Sequence, residues 1–141
     1  MADVFTKAKR SEVMSRIRGR DTKPERAVRS ILHRLGYRFR LHRADLPGKP
    51  DIVLPRLRIV IFVHGCFWHR HEDCRFAYTP KTRIEFWLKK LESNVARDRQ
   101  VQAQLTELGW LVVIVWECEL RIPEKLTERL DEALKGRSSD V

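Results

Sequence analysis

Two of the three cysteines and three of the five histidines crowd into one short stretch, and their spacing is the first chemical clue. Cys66-x4-His71-x2-Cys74, joined by the distant Cys118, could offer three thiolates and one imidazole to a tetrahedral zinc ion. Such a site would be structural, because four protein ligands leave no position open for water. In the competing reading the cysteines are small buried hydrophobes and His71 is a polar loop residue. The spacing departs from the commonest zinc-finger patterns and leaves both readings open.

A second group of residues suits phosphodiester hydrolysis. Pro50-Asp51 opens a predicted strand, and the neighbouring strand ends at Val63-His64. A carboxylate placed there could share a hard divalent cation such as Mg2+ with groups at the end of the next strand. Such an ion can activate water and stabilise a leaving oxygen. The run from Pro47 to Asp51 is also an ordinary turn with a solvated acid, the commoner use of these residues. His64, His69 and His71 could move protons near neutrality if a carboxylate oriented them, and Glu25 and Asp98 are the candidate acids. Glu25 has a second explanation in a helix cap, and Asp98 in an ion pair with Arg97 or Arg99. His33 and His42 read as surface or strand-edge residues.

Phe67-Trp68, within the Cys/His stretch, and Trp87, near the start of a long helix, form an aromatic group. In a basic protein such rings could wedge between base pairs. They could equally pack the loop onto the helix. Trp110 and Trp116 are assigned to the core of a strand.

The elements that must position these groups follow from periodicity. Residues 7–18 predict a helix with few apolar positions, Val13, Met14 and Ile17, suited to docking on a partner. Thr22 to Glu25 reads as a capping box with Pro24 just inside, and Ala27, Val28, Ile31, Leu32 and Leu35 continue the helix up to Gly36. Tyr37–Leu41, Asp51–Leu54 and Leu57–Val63 read as strands, the last two as a hairpin. His64 to Pro80 has neither period. Such a loop is functional or stapled. Thr82 to Glu85 reads as a second capping box, opening a helix that ends at Gly109 with a stripe of Ile84, Leu88, Leu91, Val95, Asp98, Gln102 and Leu105. Trp110–Trp116 predicts a strand in the middle of a sheet, and Pro123–Lys135 a last amphipathic helix. The sum is an α/β fold, a small mixed sheet flanked by helices. Residues 1–20 form a basic arm, 21–135 the domain and 136–141 a disordered tail.

Length and charge narrow the partners. A chain of 141 residues with 43% hydrophobic residues is one domain, not a chain disordered throughout. No apolar run approaches the roughly 20 residues of a membrane span. With no leader-like segment and an odd number of cysteines, the reading is a soluble cytoplasmic protein without disulfides or a membrane partner. Net charge is +10, and residues 1–43 carry 13 basic against 4 acidic residues, so most of the excess lies in the first third. Localised charge of this kind gains from counterion release on nucleic acid.

Pro50-Asp51, Val60-Ile-Phe-Val-His-Gly-Cys-Phe-Trp-His69, Thr82-Arg-Ile-Glu-Phe-Trp87, Asn94-Val-Ala-Arg-Asp98 and Val115-Trp-Glu-Cys118 together closely resemble the very short patch repair (Vsr) DNA mismatch endonucleases. The resemblance spans residues 8–134. It implies a restriction-endonuclease-like core of the PD-(D/E)XK type with a structural zinc loop. It also implies a Mg2+-dependent hydrolase that nicks one strand of duplex DNA 5′ to the thymine of a T·G mismatch, acting as a monomer. Carried over by motif, Asp51 and the backbone carbonyl of Val63 hold Mg2+. Many relatives carry Thr where this chain has Val63, but a carbonyl ligand survives loss of the hydroxyl. His64 and His69 correspond to the catalytic histidines, Asp98 to the partner that orients His69, and Glu25 to an acid reaching metal-bound water. Cys66, His71, Cys74 and Cys118 fall on the zinc ligands, in a loop that Glu72 and Asp73 make one residue longer than in a relative. Phe67, Trp68 and Trp87 match intercalating aromatics, and Met14 a DNA-gripping arm. A mismatch-repair scaffold protein is a further partner to expect. Two other functions compete: a non-catalytic zinc-stapled DNA-binding module, and an endonuclease of the same fold that cuts unmismatched DNA.

Overall fold

The computed structural model describes residues 22–138. The expected arm over residues 1–20, with Met14, lies outside the described residues. Thr22 caps α1 (Lys23–Arg34), its hydroxyl accepting the Glu25 N–H at 3.3 Å, and Pro24 occupies the first turn, where its missing N–H costs nothing. Val28, Ile31 and Leu32 form the buried face. Only half of the predicted capping box forms, because the Glu25 carboxylate turns to Arg29 and His42.

Four strands make one sheet in the order β1-β2-β3-β4: β1 (Arg40–Leu41), β2 (Ile52–Leu54), β3 (Ile59–His64) and β4 (Leu111–Trp116). β1 is shorter than predicted. His42 follows it with a left-handed φ of 47°, which turns the chain out of the ladder after two residues. β2 and β3 form the predicted antiparallel hairpin, with Ile52 opposite Ile61 and Leu54 opposite Ile59. β4 runs parallel to β3, with Ile59 opposite Leu111 and His64 opposite Trp116. The sheet is therefore mixed.

Strand alternation divides the core between its two faces. Ile52, Leu54, Ile59, Ile61, Val113 and Val115 face α1 and the last helix, α3 (Pro123–Ser138). Val53, Val60 and Phe62 join Leu105 of α2 (Ile84–Glu107) and Trp110 on the opposite side. This explains a misplacement by sequence. β4 was expected at the centre of the sheet but is an edge strand. Its unbroken apolar run reflects helices on both faces, with Val112 and Ile114 toward α2, not strands on both sides.

Helix α2 also departs from expectation. It starts at Ile84, after Arg83 in a left-handed conformation with no side-chain cap, so the capping box predicted over Thr82–Glu85 is not formed. The Arg83 guanidinium lies over the Phe86 ring instead, at 4.4 Å. Only Leu91 and Leu105 of the helix are fully buried, and Ile84 and Phe86 are exposed. Its opening turn meets loop aromatics, not the sheet. Helix α3 runs past Lys135 to Ser138, so the first part of the predicted tail is helical. Arg137 donates to the carbonyls of Leu57 and Gly109, both at 2.9 Å, and ties that end to two loops. Residues 139–141 lie outside the description. No helix among the described residues is long and apolar enough to cross a membrane.

Leu130 is completely buried in the α1/α3 layer. Leu130→Ala is expected to lower unfolding free energy by roughly 2–5 kcal/mol, the range for a buried leucine that leaves a cavity. Urea denaturation checks this, with the midpoint falling and the slope unchanged.

Candidate active site and metal-binding cluster

The acid at the mouth of the hairpin is fixed from two sides. The preceding turn lies against α2, where Gly48 sits at φ +73 and a β-carbon would run into the Val101 side chain. On the other side, one Asp51 oxygen accepts the Val63 N–H of β3 at 2.8 Å. Burial pushes the Asp51 carboxyl up to about 7; the Val63 hydrogen bond opposes the shift, and the nearby Glu25 carboxylate adds to it. Asp51 is thus neither solvated nor ordinary. The turn reading is set aside.

Glu25 lies behind Asp51, itself buried, with His42 Nε2 at 3.3 Å and Arg29 at 3.4 Å from one carboxylate oxygen. One donor atom each from Glu25, His42 and Asp51 lie within 4.8 Å of one another. By sequence alone His42 reads only as a surface or strand-edge residue. Its backbone N–H donates to the Asp51 carbonyl at 3.3 Å, which carries the ring to the acids. Only the β1–β2 pairing could have revealed this, and no motif marks it.

A second group meets the first across a cavity of about 270 Å³ lined by Asp51, Val63, His64, His69 and Asp98. Asp98 is the acid on the core-facing line of α2, and it bonds His69 Nδ1 at 2.6 Å, not Arg97 or Arg99. A carboxylate on Nδ1 fixes a proton there and leaves Nε2 as the acceptor. The rings of His64 and His69 stack, with centroids 3.7 Å apart and planes 6° from parallel. Burial lowers the His64 pKa to about 4; charge on His69 adds to this, and Asp98 opposes it.

The sulfurs gather next door. Donor atoms of Cys66, His71, Cys74 and Cys118 lie within 4.8 Å of one another, with the Cys118 sulfur 3.5 Å from His71 Nδ1. Cys118 reaches the loop from a 3-10 turn, Glu117–Arg121, directly after β4. No disulfide joins the three thiols. Burial pushes the Cys66 thiol up to about 12, because a thiolate there lacks a compensating charge. A bound cation would reverse that logic, and three sulfurs with one imidazole fit zinc. Trp116 connects the two sites. It stacks on His71 at 4.1 Å and turns its edge to His64 at 5.3 Å. A core residue by sequence, it braces an imidazole in each cluster.

The aromatics pack the Cys/His loop onto α2. Phe67 contacts Trp68, Trp87 and Tyr78, with centroids 5.0–5.7 Å apart, and Asn94 of α2 donates to the Trp68 carbonyl at 3.1 Å. Trp68 nevertheless remains 36% exposed and Tyr78 62% exposed, so the cluster keeps an open face. Tyr78 was not singled out by sequence.

A small mixed α/β fold with a buried acid and a histidine–carboxylate pair lining one cavity, beside a Cys3His cluster, defines a compact enzyme-like domain. Comparison with known proteins gives the family. Residues 2–75 match the family model described as DNA mismatch endonuclease Vsr. The chain is 51% identical to the DNA mismatch endonuclease Vsr of Escherichia coli, over 100% of this chain and 93% of that protein. It is also 51% identical to the type II nicking enzyme V.XorIIP of Xanthomonas oryzae, covering 95% of this chain and 98% of the relative. The type II nicking enzyme V.NmeAIP of Neisseria meningitidis is 42% identical, with 96% of each chain covered. The chain belongs to the Vsr family of DNA mismatch endonucleases.

The His64 environment gives a direct check. Its ring carbon resonance should titrate near pH 4, well below the ordinary 6.5. An unfolded chain takes up this proton as pH falls through 6.5, while the folded chain resists until about 4, so His64 lowers stability progressively across that interval. An NMR midpoint at the ordinary value would contradict the burial.

Proposed function

We propose that this protein is a Mg2+-dependent, strand-nicking endonuclease of the cytoplasm that cuts duplex DNA 5′ to the thymine of a T·G mismatch. The observation that carries the proposal is the convergence of Asp51, His64, His69 and Asp98 on one cavity. Asp51 and the Val63 carbonyl would hold Mg2+, with Glu25 reaching its water shell, and the ion would supply water activation and charge neutralisation at the phosphate. The crowding of Asp51 by Glu25, which favours a proton on the pair, fits a cation site. Water attacks phosphorus, the bond to the 3′ oxygen breaks, and a 5′-phosphate and a 3′-hydroxyl result. His69, held at Nδ1 by Asp98, moves the proton through Nε2. His64, neutral and stacked on His69, donates a hydrogen bond to the phosphate.

Zinc held by Cys66, His71, Cys74 and Cys118 would stiffen the loop carrying Phe67 and Trp68. Those rings, with Trp87, form the wedge beside the mismatch. A mispaired step costs less to unstack than a Watson–Crick step, so a wedge turns weak stacking into selectivity. The basic residues 1–20, with Met14, grip the duplex, and the protein acts as a monomer.

Asp51→Ala is expected to reduce nicking of a T·G duplex roughly a thousandfold or more, since losing the metal contact adds about 4 kcal/mol to the barrier. Equal nicking by both proteins in Mg2+ would overturn the reading; Mg2+-indifferent binding without nicking would favour a DNA-binding module. In a separate comparison of T·G with T·A duplexes, Phe67→Ala combined with Trp68→Ala should abolish the preference while zinc content is unchanged. Each lost ring should weaken mismatch binding by about 1–3 kcal/mol. A preference that survives both truncations assigns selectivity elsewhere.

A further inference from the structure

His42 lies outside every role assigned so far, yet its ring enters the acidic end of the site. Nε2 is 3.3 Å from a Glu25 oxygen, and the imidazole, Glu25 and Asp51 donors lie within 4.8 Å of one another. Two of these donors are hard oxygens, and the third is a nitrogen. Mg2+ takes oxygen ligands and keeps much of its water, whereas imidazole favours first-row transition ions along the series from Mn2+ toward Ni2+. Arg29 contacts the same Glu25 oxygen as His42, so the imidazole is not needed to neutralise that carboxylate. The chain reaches this position at a cost, because His42 sits in the left-handed region at φ 47°, a conformation that branched and bulky residues avoid but histidine tolerates. Its N–H bond to the Asp51 carbonyl holds the backbone there.

We propose that His42 is a nitrogen ligand of the divalent cation held by Asp51 beside Glu25, and that it makes this site, which works with Mg2+, bind Mn2+ or Co2+ more tightly. The proposal rests on the reading of Asp51 as a cation-binding acid. It adds a donor and a class of ion to that reading. A mere Glu25–His42 hydrogen bond would leave ion preference untouched.

The test uses full-length, zinc-loaded protein and Mn2+ as the probe. Bound Mn2+ is counted by EPR, with Mg2+ as competitor, and pulsed EPR reads nitrogen coupling to the bound ion. In wild type, coupling to a histidine nitrogen is expected, and it should change isotope pattern in protein labelled with 15N-histidine. His42→Gln should lose the coupling and bind Mn2+ about tenfold more weakly, with a smaller loss for Mg2+. Unchanged coupling and unchanged Mn2+ affinity in His42→Gln would overturn the proposal while leaving Asp51 as a cation ligand. Absence of histidine coupling in labelled wild type overturns it without any substitution, so a variant that fails to fold does not shield it. Asp51→Asn separates the two levels: it should lose both ions, and if it retains both, the reading beneath this proposal fails as well.

Discussion

A carboxyl group that titrates near 7 because it is buried, yet is held by a main-chain N–H, is the constraint around which this site is organised. Asp51 precedes β2, and the antiparallel register of the hairpin brings the Val63 N–H of β3 to it. The same position anchors three other features. His42 bonds its carbonyl, Glu25 crowds its carboxyl, and the turn before it is pressed against Val101 of α2. A slip of one residue in the β2–β3 pairing would exchange the two sheet faces and turn this acid away from α2. In the ion-free protein its raised pKa is a liability. The folded chain holds a proton that the unfolded chain releases near 3.8, so Asp51 subtracts stability as pH rises from there through about 7. A cation would replace that proton and remove the penalty, so the fold and the proposed ion are thermodynamically linked.

The second organising contact is Trp116. At the end of β4 it is stacked on His71 of the sulfur cluster and set edge-on to His64 of the cavity. Parallel pairing of β3 with β4 places His64 directly opposite Trp116. The residues that follow each strand then diverge, one path into the Cys66–Cys74 loop and the other to Cys118. The two strand ends thus converge on the thiol cluster for the same reason that they frame the cavity. Packing around the sulfurs and packing around His64 share a side chain, and disturbance of one reaches the other through an indole ring.

Much of this was legible in the chain, and the omissions have physical causes. Helix α1, the hairpin and the unstructured stretch after His64 follow from local signals: a threonine cap, two apolar runs separated by Pro55 and Arg56, and a dense run of Cys, His and aromatic residues. Asp98 was visible because an acid interrupts an apolar stripe, and the structure gives it a ring to hold. What was missed depends on contacts distant in sequence. His42 acquires neighbours only when β1 pairs with β2. The edge position of β4 cannot be read from its composition, because a strand covered by helices on both faces looks like one flanked by strands. The start of α2 was misread since Arg83 takes a left-handed conformation and packs on Phe86, which no short pattern encodes.

The stacked histidines suggest how one cavity keeps two similar side chains chemically distinct. Two imidazolium rings with centroids 3.7 Å apart would repel each other, and the pair more readily holds one positive charge than two. His64, the more buried ring, has no carboxylate of its own, and its pKa falls to about 4. His69 has Asp98 at 2.6 Å, which fixes its Nδ1 proton and the orientation of the ring. The division needs no difference in residue type. It comes from which ring α2 supplies with an acid, and Asp98 supplies it from the one acidic position on a mostly apolar line. Removing that acid would leave the stack geometrically intact but without a preferred holder for its proton, which is why the proposed proton transfer depends on the helix as much as on the histidines.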